Sequence, residues 1–87
     1  MLYETHYFRK NLGAWQYLTP NHGIVFSAIS ENQLLPLNII VSNVLSNKDN
    51  DLVKSKKEVQ NLLSDLVKHK VVGEAVSEKI YRFTKSL

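Results

Sequence analysis

The chain has 87 residues, 44% hydrophobic and 22% charged, which suits one compact domain with a single core and lies far from the composition of a disordered chain. It lacks cysteine, so disulfides, thiolate metal sites and cysteine nucleophiles are excluded together. The formal charge of +3 is unevenly placed: two basic residues face two acids before Lys48, and nine face six from there on.

The opening "MLYETHYFRK" places an acid, a histidine and an arginine where a signal peptide needs an apolar run, and no stretch is long enough to span a bilayer. The expectation is a cytoplasmic protein with no membrane partner. Residues 2–9 are rich in aromatic and β-branched side chains and read as a strand. Residues 14–18 (AWQYL) read as a second strand, joined to the first by a turn at Asn11, Leu12 and Gly13.

In "LTPNHG", Thr19 is a capping residue and Pro20 suits the first helical position, so the sequence predicts a helix over 20–30 burying Ile24, Val25, Ala28 and Ile29. Residues 31–35 connect it to a second helix opened by Pro36. There Leu37, Ile40, Val41, Val44 and Leu45 recur at helical spacing and predict one buried stripe. Residues 46–51 (SNKDND) form a polar loop, in which Asp49 and Asp51 read as turn residues.

The third helix has the clearest signals. Ser55 and Glu58 stand as an S-x-x-E capping box, and Val59, Leu62, Leu63, Leu66 and Val67 lie on one face. Lys68, His69 and Lys70 place cations at the negative end of the helix dipole. Lys56 and Lys57, by contrast, sit at its positive end, where cations are disfavoured. Val71 and Val72 begin a strand, residues 73–78 (GEAVSE) read as a hairpin tip, and residues 79–83 (KIYRF) read as the returning strand.

"SKKEVQNLLSDLVKHKVV" followed by "GEAVSEKIYRFT" resembles a winged helix-turn-helix domain, with a capped third helix, a valine-rich strand, a polar wing tip and a return strand. The fold class expected from this resemblance is α+β: a winged helix with a three-helix core, a C-terminal β-hairpin wing and short N-terminal strands, filling residues 1–87. In that family the start of the third helix enters the DNA major groove and the wing meets the backbone or minor groove. Carried onto this chain, the resemblance implies double-stranded DNA contacts by Lys54, Ser55, Lys56, Lys57, Gln60, Asn61 and Ser64 on the helix, and by Ser77, Lys79 and Arg82 on the wing. Lysines at a helix start become useful if that end meets phosphates, and Gln60 and Asn61 carry amides that can read base edges. The loop over 46–54 is longer than the tight turn of that family.

"AWQYLTPNHGIVFSAI" with the following helices also resembles the PqqD-like peptide-recognition element. Trp15, Leu18, Phe26 and Ile29 fall where that family has aromatic and apolar residues. This resemblance implies a peptide or protein partner, a precursor leader captured by strand addition.

Neither G-x-S-x-G nor a phosphate-cradling glycine loop is present, so no enzyme is expected. His6, His22 and His69 lack the i, i+4 spacing of a helical metal site and read as surface or capping residues, so neither metal nor cofactor is expected. Tyr3, Tyr7, Phe8, Trp15, Tyr17, Phe26, Tyr81 and Phe83 read as packing aromatics. The function expected is a sequence-specific DNA-binding homodimer, either a transcriptional regulator or a plasmid- or phage-type replication or partition factor. A peptide-binding adaptor of PqqD-like type is the alternative.

Overall fold

The computed structural model describes residues 3–10 and 18–78. They form a small α+β domain: β1 (Tyr3–Arg9), α1 (Pro20–Ser27), β2 (Leu35–Pro36), α2 (Leu37–Ser46), α3 (Lys56–Lys68) and β3 (Val72–Glu78). The three strands make an antiparallel sheet in the order β2-β1-β3. The strand expected over 14–18, apart from Leu18, its preceding turn, and the return strand over 79–83 lie outside the described residues.

The core is one cluster drawn from every helix and from the start of β3. Val25, Phe26 and Ile29 come from α1 and its exit, Ile40 and Val44 from α2, Val59, Leu63 and Leu66 from α3, and Val71 and Val72 from the last connection. Helix α1 opens as expected, with Thr19 as N-cap and Pro20 in the first turn. It stops earlier than expected because the chain tightens after Ser27: Ala28 and Ile29 donate backbone N–H groups to Val25 and Phe26 carbonyls, three residues back. Ile29 is fully buried from this turn, not from a helix.

On α2, Pro36 is the N-cap and Ile40 and Val44 are buried, as the spacing predicts. Leu45 departs from the expected stripe. It lies at the edge of the stripe, the helix ends at Ser46, and its side chain is exposed.

The loop between α2 and α3 is organised by Asn50, which is buried. Its Nδ2 donates to the carbonyls of Val44 at 2.9 Å and Val53 at 2.7 Å, and its Oδ1 accepts from Leu52 N–H at 3.1 Å and Val53 N–H at 2.9 Å. One amide side chain thereby satisfies backbone groups on both sides of the loop and carries Val53 into the core.

Helix α3 ends in a Schellman motif: Val71 N–H donates to Leu66 O at 2.9 Å and Lys70 N–H to Val67 O at 3.0 Å. Lys70 occupies the left-handed position with φ 62°, where glycine is the usual residue. The motif turns the chain sharply into β3.

Residues 73–78 are not the tip of a hairpin. They continue β3 and pair with β1 from Arg9↔Val72 to Tyr3↔Glu78. Phe8 stands opposite Gly73, and a β-carbon there would fall 2.3 Å from the ring carbon Cζ. The glycine therefore makes room for an aromatic ring laid across the neighbouring strand, a device that supports a sheet, not a turn.

Two stability outcomes follow. Asn50→Ala removes the side-chain partners of the Val53 carbonyl and of the Leu52 and Val53 amides and is expected to lower the unfolding free energy by about 2–4 kcal/mol, read from urea midpoints. Lys70→Gly relieves a left-handed non-glycine residue and is expected to raise it by about 0.5–1.5 kcal/mol in the same assay.

Candidate nucleic-acid interface

Helix α3 presents one apolar and one polar face. Val59, Leu63 and Leu66 are buried, whereas Lys57, Gln60, Asn61, Ser64 and Lys68 are exposed. At about 100° per residue these five fall in a single arc of about 100° on the helix circumference. Lys56 is exposed in the same first turn.

The helix start is fixed locally. Ser55 is in extended backbone, and its Oγ accepts from Glu58 N–H at 3.2 Å. Glu58 Oε1 reaches back to accept from Ser55 Oγ–H at 3.2 Å and Lys54 N–H at 3.3 Å. This is the expected capping box with a shifted return bond, made to the residue before the cap. Lys54 Nζ donates to Asn50 O at 3.2 Å, which ties the first lysine to the loop. Among the described residues, Lys56 and Lys57 have neither an ion pair nor a hydrogen-bonded acceptor for their ammonium groups. The cations at the unfavourable end of the dipole are thus left facing solvent.

The structure brings Lys54, Ser55, Lys56, Lys57, Gln60, Asn61 and Ser64 together on α3 and its lead-in. It places Ser77 elsewhere, within β3 opposite Glu4. Lys79 and Arg82 lie outside the described residues. The β1–β3 ribbon carries Glu4 and Glu74, and Glu74 borders a groove of about 260 Å³ together with Tyr7, Ser64, Val67 and Lys68. Burial, and then the nearby Glu74 charge, raise the Tyr7 phenol above its ordinary pKa, so it remains a hydroxyl at neutral pH. Along α3, then, lysines stand at both ends, Lys54, Lys56 and Lys57 at its start and Lys68 in its last turn, and Glu74 borders its second half.

The sequence assigns His22 a surface or capping role. Its capping role holds: Nδ1 accepts from Thr19 N–H at 3.3 Å and from Thr19 Oγ1–H at 2.7 Å. With Nδ1 accepting, Nε2 carries the proton and donates to Asp65 Oδ2 at 2.8 Å. His22 is buried, and the bond joins the start of α1 to the middle of α3 across 43 residues of sequence. No local spacing signals such a pair. His69 serves the other end of α3, its Nδ1 lying 2.8 Å from Asp65 O.

No helix among the described residues is long and apolar enough to cross a membrane, and no three of their histidine and acidic side chains cluster as metal ligands. No protein-family model, curated protein or solved structure matches this chain.

The hydrogen bond from His22 holds the Asp65 carboxyl below the usual carboxylate range; partial desolvation opposes it and the nearby Lys68 charge acts with it. A depressed folded-state value means that ionised Asp65 favours the fold. Its contribution is complete above the unfolded value of about 3.9 and is lost as pH falls through the lower folded value. Asp65→Asn is therefore expected to be less stable than the wild type at neutral pH, with the gap closing progressively below about pH 4. Urea midpoints of both proteins across that range check it, and a pH-independent gap would refute it.

Proposed function

We propose that the chain is a winged-helix DNA-binding protein of the cell interior that reads the major groove of double-stranded DNA with α3. The observation that carries this reading is the uncommitted face of α3: Lys56 and Lys57 exposed at the helix start, followed by Gln60, Asn61 and Ser64 on the outward arc. Phosphates meeting that end supply the anionic partners that the lysines otherwise lack, and helix N-terminal amides add to the same attraction. The side-chain amides of Gln60 and Asn61 then stand one turn further along, able to donate to and accept from base edges, adenine in particular.

One reading helix makes a limited contact, so the proposal includes a homodimer spanning two half-sites. Such a protein acts as a transcriptional regulator or as a plasmid- or phage-type replication or partition factor. The backbone contact is assigned by charge to Lys79 and Arg82, since residues 73–78 are committed to pairing with β1 and Glu74 repels phosphate.

A second reading, peptide capture by strand addition, draws on one observation. Among the described residues, β2 pairs with β1 at His6 and Tyr7 alone and so covers, within them, a fraction of the β1 edge it faces.

Fluorescence anisotropy with random duplex DNA across a salt series separates the two. DNA binding predicts a linear fall of log affinity with log salt, and the Lys56→Gln/Lys57→Gln variant is expected to lower that slope by about 2. Both lysines are exposed, so an unchanged urea midpoint accompanies the loss. Absence of binding at low salt, or an unaltered slope in the variant, would overturn the assignment and leave the β1 edge as the surface to test with peptides.

A further inference from the structure

A groove of about 370 Å³ opens away from α3, between the end of β1 and the segment that follows α1. Phe8, Arg9 and Lys10 form one wall, and Glu31, Asn32, Gln33 and Leu34 the other. Asn32 adopts a left-handed conformation with φ 63°, which bends this second wall round the opening.

Arg9 is the unusual residue. Its guanidinium carbon lies 4.6 Å from the centroid of the Phe26 ring, and Phe26 belongs to the core. Stacking uses the flat face of a guanidinium, so its N–H donors, which lie in the plane, remain for acceptors at the edge. Yet Arg9 Nε is buried without a hydrogen-bond partner, and among the described residues neither Arg9 nor Lys10 is in an ion pair. A buried guanidinium N–H without an acceptor is costly.

The obvious structural employment for Arg9 is largely filled. It stands over the last turn of α1, where free carbonyls would welcome a cation. Three carbonyls at that end have other partners: Val25 O and Phe26 O accept from Ala28 and Ile29 N–H, and Ala28 O accepts from Asn43 Nδ2 at 3.1 Å. Lys10 is positioned by its backbone alone, through a 2.9 Å bond from its N–H to Val71 O, and its side chain is exposed at the groove.

We propose that this groove binds a small organic anion, its acidic group held by Arg9 and Lys10 and its apolar body resting against Leu34. The shared chemistry is a carboxylate or phosphate attached to an apolar group. Glu31 on the opposite wall disfavours highly charged polyanions, which separates this site from the DNA-facing end of α3. The proposal does not depend on DNA binding.

The test is isothermal titration calorimetry of the whole chain with benzoate and with phenyl phosphate at constant ionic strength, with the Arg9 Nε–H resonance followed by NMR. The expected result is saturable binding of at least one probe, with a shift of that resonance. Benzoate alone marks a carboxylate site, phenyl phosphate alone a phosphate site, and both a general anion site. Arg9→Met should weaken the dissociation constant about tenfold or more. Lys10→Gln, which keeps the backbone bond, should weaken it severalfold at an unchanged urea midpoint and thereby guards against misfolding of the arginine variant. Failure of both probes to saturate, or equal affinity in the wild type and Lys10→Gln with no movement of the Arg9 signal, would overturn the proposal.

Discussion

The burial of one face of α3 is the constraint on which the other elements depend. Val59, Leu63 and Leu66 supply the surface against which α1 and α2 close, and Val71 and Val72 follow immediately from the same helix. A chain of this size supports a single core, so any element that fails to reach α3 has nowhere else to bury its apolar side. The supporting polar bonds serve that packing. Asn50 sets where α3 begins relative to α2, His22 and Asp65 tie α1 to its flank, and the Schellman turn at Lys70 sets where it stops.

The same constraint explains the separation of faces. Because the apolar arc is fully engaged, Lys57, Gln60, Asn61 and Ser64 point outward by geometry, without any partner within the described fold to hold them there. A polar arc of this kind is ordinary on a surface helix. What sets it apart is its first turn, where charge opposes the helix dipole and the capping box nevertheless secures the start. Stability and exposure are thus supplied by different residues, Ser55 and Glu58 for the one and Lys56 and Lys57 for the other.

Much of this was legible in the sequence because it is local. The Ser55 cap, the 3.6-residue apolar repeat of α3, the Thr19–Pro20 helix start and the aromatic first strand each declare themselves within a few residues, and the structure has them all. Leu45 was misjudged because periodicity places a residue on a face but does not say how far the neighbouring element reaches. Residues 73–78 were misjudged for a different reason. Gly73, Ser77 and two glutamates have turn-like propensities, and only pairing with β1 makes them a strand. The His22–Asp65 bond and the groove beside Arg9 were invisible in principle, since each joins segments that the chain brings together only when folded.

Pairing of β1 with β3 has a consequence for the order of assembly. Its contacts join residues 3–9 to residues 72–78, among the most distant partners in the described chain, and closing so long a loop is entropically slow compared with winding a capped helix. During synthesis β1 emerges well before β3, and among the described residues β2 offers it a two-residue partner in the interval. An aromatic strand whose β3-facing edge is still unmatched is a surface that other nascent chains can pair with. The sheet is therefore the part of this molecule where the timing of translation, and not only the final free energy, decides whether a chain finds its own strand or a neighbour's.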